Sequence, residues 1–307
     1  MPTSASPVMG AFARRHIGPS PHDQAHMLAA IGEPSLDSLI DDVVPSDIRL
    51  AAPLDIPGPD EEHVLLDRLA RLAARNRVCR SYIGLGYHDT ITPSVILRMV
   101  MENPGWYTPY TPYQAEIAQG RLESLINFQT MVSDLTGMEI ANASLLDEAT
   151  AAAEAMALLH RVQPAPQTRR RVLVGQGMLP QTIAVLQARA EPLDIVVDVR
   201  PLEDSAIGAD VFGVLAQYPD ERGSIADLRP VVARAHAAGV RVAVGTDLLA
   251  LTMLMSPGEM DADVVFGNSQ RFGVPLGYGG PHAAFFATRK DFVRHAPGRI
   301  IGVSVDA

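Results

Sequence analysis

The residues with the most chemical potential lie between Asp263 and His282. An apolar run, 264–266, leads into the polar turn Asn268, Ser269, Gln270, Arg271. A loop with Pro275, Gly277, Gly279, Gly280 and Pro281 follows, and then a second apolar run, 283–287. In an open parallel sheet, ligands gather at the carboxyl ends of strands and in the turns after them. Glycine admits close backbone approach or positive φ, and proline fixes the chain between. The same pattern also fits a plain tight turn between two strands. Lys290 is the only lysine among 25 lysines and arginines. Chemistry that needs an amine nucleophile has that one candidate.

Other chemistries find less support. The nine histidines show no His-x-x-His or His-Glu-x-x-His pairing, so no metal site is expected. Gly-x-Ser-x-Gly is absent, which argues against a serine hydrolase. Gly84-Leu-Gly86 lacks the third glycine of a dinucleotide site. What remains is a sheet-plus-helix domain of the size that holds pyridoxal phosphate. Such a site needs a lysine in the turn after a late strand, and an acid facing the pyridinium nitrogen. Asp247, after the run 242–244, is a candidate acid, although an ordinary strand-end aspartate reads the same way. The turn after 263–266 holds amides, a hydroxyl and a guanidinium, and none of these makes a Schiff base. Lys290 stands in the charged turn Thr288-Arg-Lys-Asp291 and is expected to be solvated.

The chain has 307 residues, 47% hydrophobic and 20% charged, with ample material for a core. A formal charge of −10 argues against nucleic acid or an anionic membrane as partner. Cys79 is the one cysteine, so internal disulfides and a cysteine-built zinc site are excluded, and a reducing cytoplasm fits. Residues 1–18 carry no long apolar stretch, so neither a secretory signal nor a membrane anchor is expected. Residues 12–19 read as an exposed arm with a small basic cluster.

The elements that would position this chemistry follow from periodicity. Residues 20–80 read as short helices separated by Pro45, Pro53, Pro57 and Pro59, without a large core of their own. Residues 94–102 read as a short helix. Between 103 and 114, three prolines and a glycine prevent regular structure, yet Trp106, Tyr107, Tyr110 and Tyr113 crowd into eight consecutive residues. So much amphipathic surface is expected to line a pocket or an interface. Residues 116–135 predict a long helix stopped by Gly137. Residues 144–159 predict an alanine-rich helix with Ser144 as N-cap and Asp147 and Glu148 in its first turn. Those carboxylates would repel a phosphate, so this helix end is expected to be capped by the protein itself. Beyond residue 170, continuous apolar strands alternate with helices, which indicates a mainly parallel sheet covered on both faces.

Residues 81–93, 106–135 (with Tyr-Thr-Pro-Tyr-Gln and Gln-Gly-Arg-Leu-Glu-Ser-Leu), 141–158 and 267–287 closely resemble the N-terminal half of the glycine decarboxylase family, the P-protein of the glycine cleavage system. The match extends from about Phe12 to the last residue. In some bacteria that protein is split in two, and the chain resembles subunit 1. The resemblance implies an α/β type I pyridoxal-phosphate (aminotransferase-like) large domain over 81–290, with a vestigial cofactor site. It would be preceded by a helical arm over 1–80 and followed by the start of a truncated C-terminal segment over 291–307, the small C-terminal domain being absent. The family's Schiff-base lysine lies in the other half, subunit 2. Carrying its pattern over through Phe272, Pro275 and Gly279-Gly280-Pro281 places Gln270 or Arg271 at that position, depending on a one-residue gap. The implied activity is decarboxylation of glycine, with transfer of the aminomethyl group to the lipoyl group of the H-protein. Pyridoxal phosphate would sit on the partner subunit. Tyr107, Tyr110 and Tyr113, with His88 and Asn142, would contribute pocket or interface walls. The alternative is a structural or regulatory pseudo-subunit of the same complex. A third possibility, a self-sufficient enzyme using Lys290, is disfavoured.

Overall fold

The computed structural model describes residues 16, 18–50, 52, 54–58, 60–165, 168–203, 205–279 and 282–304. Most of the 12–19 arm, Pro53, Pro59, Gly280 and Pro281 fall outside them. The chain divides into two compact units, Met1–Arg80 and Ser81–Ala307.

In the first unit, α1 (Pro21–Ile31) opens with a reciprocal cap between Ser20 and Asp23 and ends at Gly32, φ 82°. The second helix, α2 (Leu36–Val43), is capped by Ser35, whose hydroxyl accepts from Ser38 N. The third is α3 (Glu62–Ala73). No residue of these helices is buried.

The second unit begins irregularly. The helix expected over 94–102 is a single α turn, Ser94–Ile96, running into a π-helical stretch, Leu97–Met101. Helix α4 (Ala115–Thr136) kinks at Ala118 and ends on Gly137 in the left-handed conformation, as the sequence predicts. Strand β1 (Ile140–Ala141) then leads to α5 (Glu148–Val162). Here the expected cap is corrected. Asp147, not Ser144, is the N-cap, its carboxylate accepting from Thr150 N at 3.1 Å. The reason is the chain just before it: Leu145 and Ala284 exchange backbone hydrogen bonds of 2.9 and 3.2 Å, holding that stretch extended.

The remaining elements are β2 (Arg171–Gly175), α6 (Pro180–Ala190), β3 (Val196–Arg200), β4 (Val211–Tyr218), α7 (Arg229–Ala237), β5 (Arg241–Asp247), β6 (Val264–Asn268) and β7 (Ala284–Thr288). They build a seven-stranded sheet of order β1-β7-β6-β5-β4-β2-β3. Only the pairings of β7 with β6 and with β1 are antiparallel. Core residues alternate between the two faces. Leu173, Val214, Val242, Val244, Val265 and Phe285 belong to one core, and Val172, Leu215, Ala243, Phe266 and Phe286 to the other. This is the α/β architecture expected from continuous apolar strands. The alanine face of α5 (Ala151, Ala152, Ala155) is fully buried, and Gly213 lets Leu159 lie close on β4.

The amino end of β6 is fixed by a buried charge. Asp263, 0% exposed, accepts from Val242 N at 2.8 Å, His236 Nε2 at 2.8 Å and Arg241 Nη1 at 3.2 Å, with Arg289 Nε also at 3.2 Å. Removing one partner of such a cluster leaves the others buried and uncompensated. Asp263→Ala is therefore expected to lower the unfolding free energy by about 3 kcal/mol or more. Urea unfolding followed by far-ultraviolet circular dichroism checks this, and a change under about 0.5 kcal/mol would contradict it.

Candidate functional site

Parallel registration brings the carboxyl ends of three strands together. Gln217 lies opposite Gly245, Tyr218 opposite Thr246, and Asp247 opposite Asn268. A Cβ at Gly267 would collide with the Thr246 carbonyl oxygen, so glycine there lets the strands close up. Beyond β6 the polar turn forms one 3₁₀ stretch, Ser269–Phe272. Asn268 Oδ1 caps it by accepting from Gln270 N at 2.9 Å, and Ser269 Oγ donates to Ala283 O at 2.7 Å. Arg271 turns back onto β5, with Nε 3.1 Å and Nη2 2.8 Å from Asp247 Oδ2. Gln270 is buried, 2% exposed.

The glycine-rich stretch before residue 93 reaches this turn. Thr92 Oγ1 donates to Gly273 O at 2.6 Å and Thr90 Oγ1 to Val274 O at 2.9 Å. Gly84, Leu85 and Gly86 all take positive φ, and Gln181 Nε2 holds Leu85 O at 2.8 Å. Together these segments enclose a cavity of about 290 Å³ whose walls include His88, Glu148, Gln217, Asp247, Gln270 and Arg271. Burial pushes the Glu148 carboxyl up to about 7, with the Asp247 and Asp147 charges adding to the effect and the Gln217 hydrogen bond opposing it. Burial first, and then the Arg271 charge, holds the His88 imidazole below its ordinary value. The cavity therefore carries a neutral imidazole, an internally matched ion pair and a carboxyl poised near neutrality.

Of the residues singled out from sequence, His88, Gln270, Arg271 and Asp247 meet at this cavity. Asn142 does not: it is a buried strut whose amide donates to Pro297 O at 3.2 Å and accepts from Phe286 N at 3.1 Å. Tyr107, Tyr110 and Tyr113 are 60, 72 and 75% exposed and lie outside the cavity's walls. Their loop is nevertheless held. Arg121 Nη1 donates to Thr108 Oγ1 at 2.9 Å, Arg299 Nη1 donates to Pro112 O at 2.6 Å, and the Arg299 guanidinium lies 5.3 Å from the Tyr113 ring centroid. Sequence reasoning missed the cavity roles of Gln217, Thr246 and Glu148. The available signal for Gln217 and Thr246 was a polar residue near the end of an apolar strand, whereas Glu148, at the start of α5, gave none beyond its place in the first turn.

The residues do not fit a covalently held aldehyde cofactor. The cavity presents an amide and a guanidinium but no amine. Lys290 is exposed in the turn after β7, where its backbone N–H donates to Glu139 Oε2 at 2.9 Å. A phosphate at the α5 amino end would meet Asp147 and Glu148. Among the described residues, no group of three or more histidine, cysteine or acidic side chains is placed to hold a metal ion. Nor, among them, is any helix long and apolar enough to cross a membrane.

Comparison with known proteins agrees with this architecture. The family described as "Glycine cleavage system P-protein" matches residues 14–307. Glycine dehydrogenase (decarboxylating) of Chromobacterium violaceum is 56% identical over 296 residues, 96% of this chain and 31% of that protein. The enzyme of that name from Thermosynechococcus vestitus is 57% identical over 297 residues, 96% of this chain and 31% of its own. The chain thus spans less than a third of the length of these curated relatives. A crystal structure of glycine decarboxylase (P-protein) of the glycine cleavage system, in inhibitor-bound form, matches with TM-score 0.86 and 38% identity, over 94% of this chain and 66% of that one. A Burkholderia pseudomallei sphingosine-1-phosphate lyase shares the fold alone, with TM-score 0.58 and 15% identity over 82% of this chain and 64% of that one.

Stability should register the desolvated carboxyl. Glu148 keeps its proton to about pH 7 in the folded chain, against an ordinary value of 4.5. Its contribution to stability is therefore whole below pH 4.5, falls as pH rises to about 7, and is flat above. Glu148→Gln should match the parent near pH 4.5 and exceed it by about 2 kcal/mol at pH 8, less than full linkage because the cavity opens to water. Denaturant melts at the two pH values check this, and equal stabilities at pH 8 would contradict it.

Proposed function

Given that this chain belongs to the glycine cleavage system P-protein family, we propose that it acts as a half of glycine decarboxylase that does not itself carry the cofactor. In this reading a lysine-bearing partner half, subunit 2, holds pyridoxal phosphate. The assembled pair decarboxylates glycine and passes the aminomethyl group to the lipoyl group of the H-protein. The observation that carries the reading is the turn after β6. There the chain offers the buried amide of Gln270 and an Arg271 guanidinium already paired with Asp247, while its only amine, Lys290, is exposed elsewhere.

Under this proposal residues 1–80 form a helical arm and 81–290 a large domain whose cofactor site is vestigial. The chain's contribution is structural chemistry at a shared surface. Arg121 and Arg299 fix the backbone of the aromatic loop while its rings stay exposed. Rigid, exposed tyrosines present large contact area at low entropic cost. Tyr107, Tyr110 and Tyr113 would thus wall a site on the partner half and help exclude water from it. The same exposure favours a second reading, in which the loop only joins the halves and adds no group to the reaction.

One measurement tests the absence of a cofactor on this chain, and a second separates the two readings. Alone with pyridoxal phosphate, the chain is expected to yield no borohydride-trapped adduct; an adduct lost on Lys290→Ala would overturn the proposal. Joined to a lysine-bearing half and H-protein, a Tyr107→Ala, Tyr110→Ala variant is expected to lower glycine-dependent CO2 exchange by about tenfold or more, with assembly intact by size exclusion. Unchanged exchange would favour the joining role.

A further inference from the structure

The cavity at the strand ends has no place for an aldehyde cofactor, yet its walls are not inert. Gln270 and Thr246, each 2% exposed, both line it. Gln270 Nε2 and Oε1 and Thr246 Oγ1 have no hydrogen-bond partner. Gln217 Oε1 is in the same state, while its Nε2 reaches Glu148 Oε1 at 3.5 Å. Buried polar atoms are nearly always partnered, so this unmet set marks the place of a partner.

Charge narrows what that partner can be. Among the described residues, Arg271 is the only arginine or lysine on the cavity wall, and it is already committed to Asp247. Glu148, Asp220 and Glu221 add only negative charge or carboxyl groups. An anion would face carboxylates without a free cation, and an apolar molecule would leave the buried oxygens unmet. A primary ammonium group supplies three donors for the unmet oxygens of Gln217, Thr246 and Gln270 and one positive charge against the carboxylates, while Gln270 Nε2, a donor, is left to water. The volume of about 290 Å³ has room for a molecule of about ten heavy atoms or fewer.

We propose that this cavity is a binding site for a small primary ammonium compound, held by the Glu148 carboxylate and the side-chain oxygens of Gln217, Thr246 and Gln270. It needs no partner half, and is independent of the catalytic reading above. The ligand takes the ionised form of Glu148, so binding displaces its proton. Asp147 and Asp247 face that carboxyl as like charges, with Gln217 donating to it, and His88 and Arg271 on the same wall. Because its value lies near 7, the ionised fraction rises about tenfold between pH 6 and pH 8, and affinity rises with it.

Calorimetric titration of the 307-residue chain with ethylammonium chloride tests this, with acetate and inorganic phosphate as controls. Saturable one-to-one binding is expected, about tenfold tighter at pH 8 than at pH 6. Glu148→Gln should abolish that pH dependence and weaken binding at pH 8 by about tenfold or more, while its thermal melt at pH 8 is no lower than the parent's. Gln270→Leu should weaken binding while keeping the pH ratio, which covers the case of a poorly folding Glu148 variant. No saturable heat at millimolar ethylammonium would mean a cavity filled by water only and would overturn the proposal. So would unaltered binding by both variants, or tighter binding of phosphate or acetate.

Discussion

The guanidinium of Arg271, gripped through Nε and Nη2 by Asp247, decides what the strand ends of this sheet can do. A guanidinium never gives up its proton at neutral pH, so the pair is permanent and its charge is spent internally. It joins the turn after β6 to the end of β5, across strands whose register already sets Asp247 opposite Asn268. Two other groups share the wall with this pair. Burial first, and then the Arg271 charge, holds the His88 imidazole below its ordinary value. Burial pushes the Glu148 carboxyl up to about 7, and the Asp247 charge adds to the rise.

Glu148 reaches the cavity because of how α5 is seated. Its alanine face lies flat on the sheet, and its start is delayed until the backbone pairing of Leu145 with Ala284 ends. The Asp147 cap and the adjoining Glu148 close this helix end to an anion. The helix thus presents an acid where a helix amino end can otherwise present bare N–H groups, and the same acid supplies charge that a cation can use.

The aromatic loop obeys a different constraint. Its prolines remove backbone donors, so its order comes from short internal turns, such as Trp106 N donating to Asn103 O, and from Arg121 and Arg299, which donate to its carbonyl and hydroxyl oxygens. Trp106 and the three tyrosines are left in the open, with Ile83 and Ile91 from the neighbouring stretch also exposed. Exposed aromatic side chains crowded into eight consecutive residues are the kind of apolar surface that marks interaction sites. The curated relatives are about three times as long as this chain, which supports the proposal that further polypeptide covers that surface.

Much of this was legible in the linear sequence, for physical reasons. Continuous apolar runs separated by helical periods can bury both faces only in a doubly covered, mainly parallel sheet, and Gly137 can end a helix where other residues strain. A single lysine in a charged turn, and none after β6, settled by residue chemistry alone that the turn offers no amine. Other features depended on contacts between residues distant in the chain. Ser144 lost the cap to Asp147 because a strand 140 residues later pairs with Leu145. The hold of Asn142 on Phe286 N and Pro297 O joins residues more than 140 positions apart. The grip of Arg271 on Asp247, and the cavity shared by Glu148, Gln217, Thr246 and Gln270, exist only because parallel registration sets separate strand ends side by side, which no local propensity encodes.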